Sequence, residues 1–233
     1  MTGNNNMLVS YQLEEGIATL TITNGKVNAL SHEVFAELNA ALDQAEKDKA
    51  IVILAGQAGI FSGGFDLKEM QKSPQAAIDL VAVGSRLTRR LAAFPYPVIA
   101  ACEGHAIAKG AFILLSSDYR IGATGAFRIG LNEVAIGMTM HHAGIEMARH
   151  RLATPYFNRC VMNAELFSPE EACQAGFLDE VQAPDSVMSR AKEVAKNMQQ
   201  LNLKAFANTK VKARASYLAQ LDAGIEKDLQ HLM

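Results

Sequence analysis

The sequence has little of what marks secreted, membrane-spanning or nucleic-acid-binding proteins. Its three cysteines, Cys102, Cys160 and Cys173, form neither a CxxC pair nor a disulfide ladder, which predicts a reducing compartment, the cytoplasm. No apolar run reaches the roughly 18 residues that a membrane span needs, and the polar segment MTGNNNM at the N-terminus does not resemble a signal peptide. The formal net charge of -2 argues against nucleic acid or an anionic membrane as the main partner.

Several motifs of catalysis and cofactor binding are also missing. The sequence has no GxGxxG after a predicted strand, no GxxxxGK[ST], no HExxH and no GxSxG. Of the six histidines, only His141 and His142 are close in sequence, and neighbouring residues on a helix point in different directions. The sequence therefore predicts no metal site and none of the common nucleotide-binding, zinc-protease or serine-hydrolase sites.

What the sequence does contain is enough apolar material for one α/β domain. Hydrophobic residues make up 49% of the 233 residues and charged residues 20%. Residues 8–13 and 17–22 are predicted to form a hairpin, and the short apolar runs 50–54 and 98–101 are typical of strands buried on both faces of a parallel sheet.

Helical patterns alternate with these strands and then occupy the last third of the chain. The helices are predicted after Ser31, over 76–93, from Ser168 to Gly176, over 185–199 and over 203–229. Such alternation indicates right-handed crossovers between parallel strands. We therefore predict an α/β core at residues 1–190, followed by a C-terminal helical region at 191–233 within the same domain.

Two small-residue loops follow the buried strands and are the candidate functional segments. The first, residues 56–66, contains the pair Gly63-Gly64, which frees the backbone for close approach of a ligand. The second, residues 104–110, leads into an apolar helix. Free N–H groups and partial positive charge at a helix N-terminus suit a developing oxyanion, and two converging amides would form an oxyanion hole.

Together these segments resemble those of the crotonase superfamily, the enoyl-CoA hydratases and isomerases. FSGGFDLKEM at 61–70 is similar to its F-x-[AG]-G-x-D-[LI] loop. PVIAACEGHAIAKGAFILLSSDYRI at 97–121 is similar to its PVIAAxxGxAxGGGxELxxxxDxRI segment, and GLNEVAIGM at 130–138 to its G-x-P-E-x-x-x-G segment. NAL at 28–30 and SPEEACQAGFLDEV at 168–181 also fit, so the resemblance covers nearly the whole chain.

The resemblance implies a crotonase-like spiral of ββα turns and a homotrimer, often paired into a hexamer. It also implies an acyl-CoA thioester as substrate, with coenzyme A as part of that substrate and no separate cofactor. By position, the two amides that hold the thioester carbonyl belong to Gly63 and Lys109, and Lys109 stands where the family usually has glycine. The implied contacts with coenzyme A fall near Ala29, Ser62, Phe65, Asp66 and Leu67.

The reaction depends on two positions at which hydratases of the family have glutamate. One of them is Phe112 here and the other is Glu133. Phe112 cannot transfer a proton and is predicted to shape the acyl site. A single carboxylate can still remove a proton from C2 of a 3-enoyl-CoA and return it at C4, so the sequence predicts Δ3,Δ2-enoyl-CoA isomerisation by Glu133 in fatty-acid metabolism.

Other interpretations stay open. By the resemblance, His141 and His142 lie near the acyl tail, where a structural role is favoured for both. One of them, like Glu146, is a candidate second acid or base for a hydratase, and His142 is assigned to the acyl site. A non-catalytic acyl-CoA-binding protein and, less favoured, a thioesterase are the remaining alternatives. Lys204, Lys210 and Lys212 are candidates for contact with the phosphates of coenzyme A, and each is also compatible with a solvated helix face.

Overall fold

The computed structural model describes residues 7–230 of the chain. Residues 1–6, which carry most of the polar N-terminal segment, lie outside the described residues, as do 231–233 at the end of the predicted C-terminal helical region. Within the described residues, no helix combines the length and apolar character that a membrane span requires.

The described chain alternates short strands with helices. Its strands are β1 (Val9–Glu14), β2 (Ile17–Ile22), β3 (Ile51–Ala55), β4 (Gly59–Ser62), β5 (Val98–Cys102), β6 (Gly104–Ile107), β7 (Tyr119–Ala123), β8 (Ile129–Gly130), β9 (Leu166–Phe167) and β10 (Glu180–Gln182). Its helices are α1 (His32–Lys47), α2 (Leu67–Met70), α3 (Pro74–Ala93), α4 (Lys109–Ser116), α5 (His142–Arg151), α6 (Thr154–Val161), α7 (Pro169–Ala175), α8 (Val187–Met198), α9 (Leu203–Ala213) and α10 (Ala215–Gln230).

The strands form two sheets, and consecutive strands of a ββα repeat can lie in different sheets. The larger sheet has the order β1-β2-β3-β5-β7-β10 and is parallel apart from the β1–β2 hairpin. The smaller sheet has the order β4-β6-β8-β9, and β4, β6 and β8 are parallel. The strand pairs β3-β4, β5-β6 and β7-β8 each place their first strand in the larger sheet and their second in the smaller one. The carboxyl ends of β4 and β6 therefore lie side by side.

The larger sheet is buried on both faces, as its apolar strands predict. In β5, Val98, Ala100 and Cys102 join the main core, whereas Ile99 and Ala101 point to a second, smaller cluster. Helix α8 contributes to that second cluster, so it covers the opposite face of the sheet. Continuous apolar strands are needed here because neither face of the sheet meets water.

Local start and stop signals correctly predict several helix ends. The Ser31 side chain accepts from the Val34 N–H at the start of α1, as predicted. Ser168 forms a capping box with Glu171, and Gly176 ends α7 in the left-handed conformation with a φ of 99°. These signals act within one turn of helix, so the sequence alone specifies them.

Three features differ from the sequence prediction. Strands β4 and β6 lie within segments predicted as loops, because pairing between them, rather than β propensity, extends these glycine-containing segments. The helix predicted over 203–229 is broken at Arg214, whose guanidinium pairs with Asp118 3.0 Å away and bonds the Ala92 carbonyl. The boundary predicted after residue 190 falls inside α8.

Candidate active site

The two predicted loops meet at the carboxyl ends of β4 and β6. A Cβ on Gly64, whose φ is 102°, would lie 3.0 Å from the Ala108 Cβ and 3.4 Å from the Lys109 nitrogen. A Cβ on Gly110 would lie 2.5 Å from the Ser62 carbonyl oxygen. Both positions exclude a side chain because the backbones of the two loops pack directly against each other.

Hydrogen bonds to side chains hold the first loop in shape. Ser62 Oγ accepts from the Gly64 N–H and donates to the Asn28 carbonyl. The Asn28 amide in turn donates to the carbonyls of Ile22 and Phe61. The Asp66 side chain accepts the backbone N–H groups of Lys68 and Glu69 and so caps α2. The polar residues of the loop thus position its backbone.

The two amides predicted to form an oxyanion hole differ in whether they already donate a hydrogen bond within residues 7–230. The Lys109 N–H is at the first residue of α4 and has no acceptor within residues 7–230. The Gly63 N–H donates to the Val27 carbonyl oxygen at 2.8 Å. A ligand oxygen would therefore reach the Gly63 amide only by replacing the Val27 carbonyl.

A cavity of about 640 Å³ opens beside these loops. Six of the predicted catalytic or substrate-binding residues line it, namely Ala29, Gly63, Phe65, Asp66, Leu67 and Glu133. The other four predicted residues do not line it, namely Ser62, Lys109, Phe112 and His142. Its apolar wall includes Val81, Ile107 and Met138, whereas the exposed residues Lys26 and Lys68 are at its rim.

Glu133 is placed in this cavity by the turn after β8. It precedes a short 3₁₀ turn, Val134–Ile136, and is almost fully buried. Its Oε2 atom has no hydrogen-bond partner within residues 7–230. Burial raises the pKa of this carboxyl group to about 7, while attraction to the Lys109 ammonium acts in the opposite direction. The carboxylate is therefore suited to exchanging a proton near neutral pH.

Two histidines line the cavity, His105 and His141, whereas the sequence prediction assigned His142 to the acyl site. His141 is the N-cap of α5 with extended backbone, and its buried ring packs edge-to-face on Phe112 at 5.2 Å. His142 begins α5 and is exposed. Burial and the nearby Lys109 charge lower the pKa of His141 to about 3, so its imidazole is neutral at physiological pH. Its Nε2 has no partner among residues 7–230.

The start of α5 is held by a carboxylate from the far end of the chain. Asp228 in α10 accepts the N–H groups of His142 at 2.7 Å and Ala143 at 2.9 Å. It is buried and performs the capping role that the His141 side chain leaves unfilled. Charge-assisted bonds to free helix N–H groups stabilise a helix start.

We expect the Asp228→Ala variant to lose about 1 kcal/mol of unfolding free energy, because a missing cap typically costs that much. Chemical denaturation followed by circular dichroism measures this loss. Asp222→Ala is the control, since Asp222 lies on the same helix but pairs with Arg89 at the surface. Equal stabilities of the two variants would contradict a capping role for Asp228.

Among the C-terminal lysines, Lys210 already forms an ion pair with Asp118. Its Nζ lies 2.7 Å from Asp118 Oδ2 in a buried ion pair that also includes Arg214. Lys204 and Lys212 are exposed on α9. Lys210 is therefore a structural residue in this conformation.

Comparison with known proteins places the chain in a family. The family described as enoyl-CoA hydratase/isomerase matches residues 12–233, nearly the whole sequence. This protein belongs to the enoyl-CoA hydratase/isomerase family. The crystal structure of an enoyl-CoA hydratase/isomerase family protein from Pseudomonas syringae is 59% identical and superimposes with a TM-score of 0.96, covering 97% of this chain and 98% of that one. The predicted crotonase-like fold is thus confirmed.

Named relatives in the enoyl-CoA hydratase/isomerase family include both kinds of enzyme. The mitochondrial enoyl-CoA delta isomerase 1 of Rattus norvegicus is 34% identical over 200 residues, which cover 82% of this chain and 68% of the isomerase. A probable enoyl-CoA hydratase of Bacillus subtilis is 32% identical over 193 residues, 80% of this chain and 74% of that protein. Sequence similarity thus supports an isomerase or a hydratase, and the choice depends on the side chains in the cavity.

Proposed function

We propose that this protein is a Δ3,Δ2-enoyl-CoA isomerase of fatty-acid metabolism in which Glu133 transfers the proton. The observation that carries the proposal is that Glu133 is the single carboxyl group buried in the described cavity, while Phe112 occupies the other position at which hydratases of this family have glutamate. Isomerisation needs one group that both removes and returns a proton. Hydration needs a water-activating group and a second group that protonates C2.

In the proposed reaction, the Glu133 carboxylate removes a proton from C2 of a 3-enoyl-CoA. The electron pair of that C–H bond moves into a dienolate, whose negative charge rests on the thioester oxygen. The Lys109 and Gly63 N–H groups stabilise this charge once the Val27 carbonyl has been displaced. Glu133 then returns the proton at C4, and the double bond moves to the conjugated 2-position.

The rest of the cavity fits the two ends of an acyl-CoA. Val81, Ile107 and Met138 supply an apolar wall for the acyl chain. The cationic side chains of Lys26 and Lys68 at the rim are complementary to the phosphates of coenzyme A. We also infer a homotrimer or hexamer of this chain in solution, which light scattering after size-exclusion chromatography tests.

A hydratase is the second candidate because His141 offers an additional polar atom in the cavity. Its unpartnered Nε2 could hold a water molecule near Glu133. However, the lowered pKa of His141 keeps the ring neutral, so it supplies no readily transferred proton to C2 at neutral pH. We therefore favour isomerisation.

The decisive assay follows the ultraviolet absorbance of the conjugated enoyl thioester. With a 3-enoyl-CoA we expect this absorbance to rise, because isomerisation creates the conjugation. With a 2-enoyl-CoA we expect no change. A fall with the 2-enoyl-CoA would identify a hydratase, and binding of both esters without turnover would identify a non-catalytic acyl-CoA-binding protein. Release of free thiol would identify a thioesterase.

A further inference from the structure

The side chain of Lys109 enters the protein core instead of the cavity or solvent. It is fully buried between α3 and α4. Gly84 in α3 makes room for it, because a Cβ there would lie 2.9 Å from Lys109 Cε and 2.6 Å from a ring atom of Phe65. The residue that contributes its N–H to the proposed oxyanion site thus also places an amine behind that site.

The amine has few polar partners for a buried cation. Its one hydrogen bond within the described residues goes to Thr88 Oγ1 at 3.1 Å. The Thr88 hydroxyl itself donates to a backbone carbonyl of α3, so it accepts from Lys109. The rings of Phe65 and Phe112 lie with their centroids 5.6 and 5.7 Å from Nζ, where their faces stabilise a cation weakly.

Three titratable groups on other elements interact with the amine. Glu133 and Asp228 attract it, whereas the buried His141 at the start of α5 is a group whose protonation the ammonium disfavours. Asp228 is committed to the two N–H groups of α5. Glu133 has an unpartnered oxygen, so it is the carboxyl group whose charge Lys109 is free to balance.

We infer that the buried Lys109 ammonium is a positioning residue of the proposed isomerase, one that keeps Glu133 ionised inside an apolar site. This inference rests on the proposed function for its catalytic consequence. When Glu133 takes the proton from C2, the negative charge moves to the thioester oxygen at the Lys109 and Gly63 amides. The buried ammonium attracts the Glu133 carboxylate before the transfer, and the net charge of the site does not change when the proton moves.

The direction of the pH effect follows from the two buried charges. Burial raises the pKa of Glu133 and lowers the pKa of Lys109, and the attraction between the two groups opposes both shifts. Removing the ammonium therefore raises the pKa of Glu133 further. As Glu133 acts in its ionised form, the rise of kcat/KM on the acid side moves to higher pH.

The test compares the pH dependence of 3-enoyl-CoA isomerisation in wild type and Lys109→Met. We expect the acid limb, the rise of kcat/KM at low pH, to move to higher pH by about 1 unit. This is the lower end of the pKa shift that a nearby opposite charge causes. Relative to its own plateau, the variant then loses about tenfold in rate at pH 6. Lys47→Met removes an exposed lysine at the end of α1, outside the cavity, and should leave the limb in place. An unmoved limb in folded Lys109→Met overturns the inference.

A second measurement keeps the inference separate from the isomerase proposal. The Glu133 carboxyl carbon is titrated by ¹³C NMR in the substrate-free protein, its signal assigned by its absence in Glu133→Gln. A higher titration midpoint in Lys109→Met supports the coupling even if no ester is turned over. An unchanged midpoint contradicts it even if isomerase activity is found. Lys109→Gln, which keeps a donor for Thr88 without the charge, replaces the methionine variant if that one does not fold.

Discussion

Replacing Glu133 with glutamine is expected to lower kcat for 3-enoyl-CoA isomerisation by about 10³-fold or more, within the usual range for losing a general acid–base group. The amide has nearly the shape of the carboxyl group but cannot accept and return a proton. Binding of a saturated acyl-CoA, measured by isothermal titration calorimetry, should change by no more than a few-fold. We therefore expect this variant to lose catalysis while it keeps the binding of acyl-CoA.

Glu146→Gln is the matched control for that variant. Glu146 is a half-buried carboxylate one turn into α5, 3.6 Å from Arg149, and it does not line the cavity. We expect full activity in Glu146→Gln. Retained turnover in Glu133→Gln would remove Glu133 from the proposed role. A loss of isomerisation in both variants would instead indicate that a second carboxylate takes part in the proton transfer.

The Lys109→Met variant is expected to be more stable than the wild type, by about 2 kcal/mol at pH 7, because methionine avoids the cost of burying an ammonium that has one hydrogen bond and no ion pair within 4 Å among the described residues. Burial lowers the pKa of Lys109 from 10.5 to about 7. Below pH 7 the lysine is protonated in both the folded and unfolded states, so the full cost of burying the charge is present. That cost disappears as the pH rises from 7 towards 10.5.

The stability difference between Lys109→Met and wild type should therefore be largest at or below pH 7 and smaller at pH 10. Thermal unfolding at matched protein concentration, repeated across this range, measures it. Lys210→Met provides the contrast, because Lys210 is buried against Asp118 and its loss leaves that carboxylate short of a partner. We expect Lys210→Met to be less stable by about 3 kcal/mol. Destabilisation of both variants to the same extent would contradict our account of Lys109.

Much of the architecture could be predicted from the sequence because its signals are local. The apolar runs of β3 and β5 predict a sheet buried on both faces, and the capping residues Ser31 and Ser168 predict helix starts within one turn. Strands β4 and β6 could not be predicted in this way. Their extended conformation depends on pairing between segments more than 40 residues apart, as Gly59 and Gly104 show.

For the candidate site, the resemblance to the crotonase superfamily predicted which backbone segments meet and which carboxylate remains. The order of the motifs indicates the loops at Gly63 and Lys109, and the NEVAIG segment indicates Glu133. Tertiary structure decided how the side chains around them are used. His141 enters the cavity because the N-cap residue of α5 has extended backbone, whereas its helical neighbour His142 faces solvent.

The position of the Lys109 amine was also decided only in three dimensions, because the space beside Gly84 belongs to another helix. The same is true of the Asp228 cap, which acts across more than 80 residues of sequence. A sequence pattern specifies which face a residue takes within its own helix or strand. It does not specify which distant group is packed against that face, as the Lys109 amine and the Asp228 carboxylate show in this protein.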